Sequence, residues 1–203
     1  KMHLARDNAA AFTLDKMHAM VDRDERQIQS LIRLIEDMLD VSRIRTGKLS
    51  IRPERFDLTL LVRNLLENFA PQVAAANSSM QLVAQGPVEG NWDEFRIEQV
   101  VSNLLTNALR YGAKSPVEVR VYAEHGEARV EVRDHGIGIS EDNQKRIFQQ
   151  FERVSANHAV AGLGLGLFIS EQIIAAHGGA IEVESRIGEG ALFRVCLPME
   201  TEA

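Results

Sequence analysis

Before Gly47 the chain contains neither glycine nor proline, yet it carries one broad apolar stripe that it cannot bury by itself. Ile28, Leu31, Ile35 and Met38 step by three and four, and Ile32 and Leu39 widen the stripe. Upstream, Val21, Met17 and Leu14 hold the heptad step across an interruption at Asp24. The spacing predicts a helix over 14–45, roughly 48 Å long at 1.5 Å per residue, with Gly47 after Thr46 as its stop. A stripe of this width needs partners. A dimeric helical bundle supplies them most economically; packing on the chain's own downstream domain is the alternative.

From Ile51 the pattern changes. Helices are expected over 58–76 and 93–111, separated by a Gly86-Pro87 turn. Val117, Val119 and Val121 alternate with polar residues, as do Ala128, Val130 and Val132, and a hairpin through His125-Gly126 would join the two strands. A helix over 140–149, a glycine-rich passage and a helix ending near 176 at Gly178-Gly179 follow. Strands over 180–185 and 191–197 close the chain across Gly188-Glu189-Gly190. Helices gathered on one face of a largely antiparallel sheet make an α/β sandwich. The expected division is 1–47 and 48–203.

Composition narrows the function. With 45% hydrophobic and 26% charged residues the chain is a soluble globular type. A net charge of -6 argues against a sequence-independent hold on nucleic acid. The single cysteine, Cys196, excludes an internal disulfide, fits a reducing, cytoplasmic compartment, and sits in an alternating run as a packed strand thiol. No apolar stretch approaches the roughly 20 residues that span a bilayer, so no membrane contact is expected within these residues. Lys1 opens directly into helical-looking sequence without a signal peptide. The start therefore reads as an interior cut, with a membrane-bound or sensory portion expected upstream.

Three elements carry candidate chemistry. On the helix over 93–111, Ile97, Val101, Leu104 and Ala108 form the core stripe, and Arg96, Gln99, Asn103, Asn107 and Arg110 share the opposite face. Asparagines one turn apart can offer amide oxygens to a hard cation, and Arg110 can reach a phosphate; a merely solvated face is the other reading. Asp134 follows Val130 and Val132 in phase, so its carboxylate points to the buried side of the sheet and needs a partner. An adenine amino group would serve, and so would a turn that the aspartate caps. Gly136 and Gly138 allow a sharp turn or close approach. Gly162-Leu163-Gly164-Leu165-Gly166-Leu167 opens the next helix, where N–H groups and the helix dipole favour an anion. Its spacing is neither the dinucleotide fingerprint nor a Walker loop.

Taken in order, these elements resemble the histidine kinase family. Asn103-Leu-Leu-Thr-Asn107-Ala-Leu-Arg110-Tyr111 is similar to its asparagine box, and Asp134-x-Gly136-x-Gly138-Ile139 to its first glycine box. Phe148-Gln-Gln-Phe151 is similar to its phenylalanine box, Gly162 to Leu167 to its second glycine box, and Gly188-x-Gly190-Ala-Leu-Phe193 to its closing one. Leu39-Asp40-Val41-Ser42-Arg43 with Gly47-Lys48 looks like the end of the second dimerisation helix. The resemblance implies a Bergerat-type sandwich over 48–203, and over 1–47 the remnant of a dimerising, phosphoaccepting hairpin. It implies ATP and Mg2+ as ligands, with Asn103, Asn107 and Arg110 catalytic and the two asparagines on the metal. Tyr111, Asp134, Gly136, Gly138, Ile139, Phe151, Arg153 and the Gly162 to Leu167 loop would complete the nucleotide site beneath a short lid over 152–161.

The family departures are His135, Leu163 and Ala191, and none of them removes a named ligand. Neither His3 nor His18 opens a His-Glu-Leu-Arg-Thr-Pro-like stretch, so the phosphoacceptor is expected upstream and the fragment is expected not to phosphorylate itself. His177 is expected to assist a helix C-terminus, His125 to sit in the hairpin turn, and His158 in the lid. The implied function is a two-component phosphotransferase with a response regulator as partner, homodimeric through the bundle. An ATPase of the same superfamily carries glutamate at the Asn103 position to activate water; a non-catalytic nucleotide sensor is the third reading.

Overall fold

The computed structural model describes residues 14–112, 114–152 and 163–199. They fall into two compact units divided between Leu39 and Asp40. The first unit is helical, formed by α1 (Leu14–Arg45), which runs on past the division. Its stripe is present as expected: Ile28, Leu31, Ile32, Ile35, Met38 and Leu39 are all exposed. The helix stops where Gly47 predicts, with Gly47 N donating to Ile44 O at 3.0 Å and Lys48 N to Arg43 O at 2.8 Å. These two bonds satisfy carbonyls that a helix end would leave open.

The second unit carries, in chain order, β1 (Glu54–Asp57), α2 (Leu58–Asn68), α3 (Ala70–Ala75), β2 (Met80–Ala84), β3 (Glu89–Trp92), α4 (Glu94–Tyr111), β4 (Val117–Glu124), β5 (Glu127–Arg133), α5 (Glu141–Gln144), α6 (Gly166–Ala176), β6 (Ala180–Arg186) and β7 (Gly190–Pro198). The main sheet has the order β2-β4-β5-β7-β6, antiparallel except where β2 runs parallel to β4. Register lines up one apolar row: Val119 opposes Val132, which opposes Phe193, and Val121 opposes Val130, which opposes Val195. On this face α2, α4 and α6 bury Leu58, Val62, Ile97, Val101, Leu104, Ile169 and Ile173. The other face is ionic. Arg194 there bonds Glu131 at 2.7 Å, Glu182 at 3.0 Å and Glu184 at 3.1 Å. Helices on one face of a mixed, largely antiparallel sheet are the expected sandwich.

Local readings fail in identifiable places. The helix expected over 58–76 breaks at Phe69, because Pro71 has no N–H for the carbonyl one turn back and its ring clashes there. The helix expected over 140–149 is regular only over Glu141–Gln144 and then tightens into turns, with Arg146 N and Gln149 N reaching back three residues. The small antiparallel pair β1–β3 and the parallel strand β2 were not anticipated. The pair backs the one tryptophan: Trp92 is buried, meets Phe56 edge-on at 5.7 Å, and donates from Nε1 to Pro198 O at 3.0 Å.

The start of α4 is heavily tied. Asp93 caps it, accepting from Arg96 N at 3.1 Å on Oδ1 and from Arg52 N at 2.8 Å on Oδ2. Asp93 N donates to His177 Nε2 at 3.0 Å, and His177 Nδ1 lies 2.8 Å from Ile173 O, which sets the Nδ1–H tautomer. His177 thus closes the C-terminus of α6, as expected, and also joins it to α4. From the end of α1, the buried Asp40 accepts from Arg96 Nη1 and Gln99 Nε2, each at 2.8 Å. Cys196 is buried and free, and burial pushes its thiol up. Among the described residues no helix is long and apolar enough to cross a membrane.

Candidate functional site

A cleft of about 130 Å³, open on one side to solvent, lies between α4, the loop after β5 and the start of α6. Asn103, Asn107 and Tyr111 form the α4 wall, Asp134, Ile137, Gly138 and Ile139 the loop wall, and Gly164, Gly166 and Leu167 the α6 wall. Ala191 and Phe193 of β7 contribute from the sheet, with Ile147 and Glu152 on the remaining side.

The loop after β5 is pinned at both ends. Ile137 N donates to Tyr111 O at 3.3 Å, Gly188 N to Ile137 O at 2.8 Å, and Ile139 N to Ser185 Oγ at 2.8 Å. Gln144 Nε2 adds bonds to Ile139 O at 3.0 Å and Ser185 O at 2.8 Å. Glycine is required here for space: a Cβ on Gly136 would strike the Tyr111 carbonyl, and one on Gly166 would strike the Asn103 amide.

Asp134 combines its two sequence readings. Oδ1 accepts from Gly136 N at 2.8 Å, so the aspartate caps the turn, and the same buried carboxylate lines the cleft. Burial pushes its pKa above the ordinary carboxylate value, opposed in part by the backbone N–H groups of Gly136 and Ala191 and by His135. A buried, acceptor-rich carboxylate suits an amino group. The first turn of α6 has no side-chain cap, so its N–H groups are available to an anion.

The two asparagines differ. Asn103 Nδ2 donates to Ser170 Oγ at 3.0 Å, whereas Asn107 makes no side-chain hydrogen bond among the described residues. Hard oxygen donors of this kind fit magnesium, which binds oxygen and keeps part of its water shell.

Not every expected residue lies in the cleft. Arg110 is exposed on α4 and is not among the lining residues; Gly136 sits behind the loop against Tyr111. Leu165 is buried in the core, and Leu163 packs against it. Phe151 is exposed at a φ of +63°, its N–H bonded to Gly164 O at 3.0 Å. Arg153, Gly162, His3, His158 and the lid apart from Glu152 lie outside the described residues. Arg96 and Gln99 need correction. The helical wheel groups them with Asn103, but they sit one to two turns earlier and pair with Asp40. Ile137, Ile147, Glu152, Ala191 and Phe193 were not anticipated as lining residues; of these, Ala191 and Phe193, in phase with Val195, had a readable inward direction.

Comparison with known proteins agrees with this geometry. Residues 92–201 match the family of histidine kinase-, DNA gyrase B-, and HSP90-like ATPases. The circadian input-output histidine kinase CikA of Synechococcus elongatus is 34% identical over 85% of this chain, which spans 24% of CikA. Sensor histidine kinase RppB of Synechocystis is 33% identical over 94% of this chain, which spans 44% of RppB. The chain thus spans less than half the length of these relatives. The crystal structure of full-length ShkA in complex with AMPPNP superposes with a TM-score of 0.79 at 27% identity, covering 93% of this chain and 40% of ShkA. The cleft between an asparagine-bearing helix and a glycine-rich helix start, the sandwich beneath it and these relatives agree: the chain belongs to the histidine kinase-, DNA gyrase B-, and HSP90-like ATPase family, as an ATP-binding domain of the sensor histidine kinase kind.

Proposed function

We propose that this domain binds ATP with magnesium in the cleft and passes the γ-phosphoryl group to a histidine on a helical bundle, in a two-component system. One observation carries the reading: α4 turns Asn103, Asn107 and Tyr111 to the cleft and no carboxylate. An asparagine cannot take a proton from water, so this wall positions a nucleotide without activating a hydrolytic water. Asp134 accepts from the adenine amino group, the open N–H groups of α6 hold phosphate oxygens, and the amide oxygens of Asn103 and Asn107 hold the metal. Bound magnesium would neutralise charge on the phosphates during in-line transfer. Arg110, one turn beyond Asn107, is assigned a contact to a phosphate of the bound ligand, and so is Arg153. Phe151 is assigned to the flank of the nucleotide site.

The exposed stripe of α1 serves homodimerisation, the receiving partner downstream is a response regulator, and the domain works in the cytoplasm. Calorimetric titration with ATP, with and without magnesium, tests the binding step. Incubation with γ-labelled ATP tests transfer. The chain alone is expected to take no acid-labile, base-stable label, since His3 and His18 lack an acceptor-like surrounding. A histidine-bearing partner helix is expected to become labelled. Steady phosphate release without any labelled protein would replace this reading with an ATPase.

A further inference from the structure

We propose that Ser170 is a positioning residue: it presets the Asn103 amide so that its oxygen, not its nitrogen, meets a divalent cation in the cleft. The inference rests on the nucleotide reading above and concerns a side chain that this reading leaves unused. Ser170 is 2% exposed, on the first turns of α6, and its hydroxyl accepts from Asn103 Nδ2 at 3.0 Å. Gly166, one turn earlier on α6, leaves no room beside the same amide: a side chain there would strike Oδ1 first. The amide is thus held from α6 at its nitrogen, against a buried hydroxyl, and the room for its oxygen depends on the absence of a side chain at Gly166, which borders the cleft.

An asparagine amide has one end that attracts a cation and one that repels it, and the two ends have nearly the same shape. Free rotation would therefore present the wrong end for part of the time. The Ser170 hydroxyl accepts from the amide nitrogen, so it sets which end of the amide faces α6. A cation on the cleft side then meets the oxygen while the nitrogen keeps its acceptor. Without the hydroxyl, that orientation leaves the amide nitrogen without its side-chain acceptor. Asn107 has no such partner among the described residues, so the pair divides into one preset ligand and one adaptable ligand.

The test uses the full chain and compares Ser170→Ala with Ser170→Thr, which keeps a hydroxyl. Calorimetric ATP affinity is measured in excess magnesium and again in chelator. Alanine is expected to reduce the magnesium-dependent gain in affinity by on the order of tenfold, leaving metal-free affinity unchanged, and threonine is expected to retain the gain. A general loosening of α6 would instead lower both affinities together and overturn the proposal, as would a full magnesium gain in the alanine variant. A second readout needs no substitution: in the wild-type chain the side-chain N–H pair of Asn103 should exchange with solvent more slowly than that of Asn107. Equal exchange rates overturn the proposal. Wild-type chain that binds no ATP under either condition removes the nucleotide reading itself, a result distinct from ATP binding that ignores position 170.

Discussion

Asp134→Asn exchanges a buried carboxylate for an amide of the same outline and keeps an oxygen for Gly136 N. In the wild-type chain burial holds the carboxyl above its ordinary 3.8. The folded form then binds its proton more tightly than the unfolded chain does. The associated stability is fully present below the unfolded value and is lost as pH rises through the folded one. The asparagine variant has no such slope. The desolvation of the charged carboxylate that its hydrogen bonds do not recover costs on the order of 1–3 kcal/mol, and losing the charge weakens the bonds from Gly136 N and Ala191 N by about 1 kcal/mol in all, so the variant should gain roughly 1 kcal/mol at neutral pH. For a unit of this size that is a rise of about 2–4 °C in Tm. Urea unfolding followed by emission of Trp92, 1% exposed in the core, reads the difference at neutral and at acidic pH. The gain should shrink as pH falls toward 3.8. A variant that is less stable at neutral pH, or a gain that persists unchanged in acid, would refute the assignment of the shift to burial. The same substitution turns an amide donor toward the adenine amino group, so ATP affinity should fall even as stability rises.

Three further outcomes are expected. Asn107→Ala should remove the magnesium-dependent part of ATP binding while moving stability by no more than about 0.5 kcal/mol, because the side chain is only half-buried; calorimetry beside urea unfolding checks both halves. GTP should compete poorly against a fluorescent ATP analogue, since the Asp134 carboxylate would face a carbonyl oxygen on guanine; equal displacement by the two nucleotides removes Asp134 from base recognition. Asp93→Ala removes the cap on Arg96 N and the acceptor for Arg52 N, which should cost about 1–3 kcal/mol. An unchanged urea midpoint would show that α4 does not depend on its first turn.

What was legible in the chain was whatever repeats locally. The three-four step of α1, the alternation of Val117 to Val121, and the glycine stops at Gly47 and Gly178 each declare themselves within a few residues. β1 and β3 have four residues each, with a single aromatic side chain apiece and no usable alternation, so only pairing reveals them. β2 alternates, but nothing in five residues says that it lies parallel to β4. At the site, the resemblance found Asn103, Asn107, Asp134 and the glycines because their spacing is sequential. It could not find Ser170, which reaches Asn103 across 67 positions, or the pairing of Arg96 and Gln99 with Asp40.

The Asp40–Arg96 pair sets how the nucleotide-facing helix responds to force. At a surface, an ion pair stretches and water fills the gap, so it yields by degrees. Here the Asp40 and Arg96 side chains are 5% and 10% exposed, and separating such partners strands a charge at a cost of about 3–5 kcal/mol. The joint is stiff against small displacements and gives way abruptly to large ones. A twist applied at Asp40 would therefore be met at α4 by Arg96 and Gln99 together, both bonded to the one carboxylate, which makes the contact a latch rather than a spring.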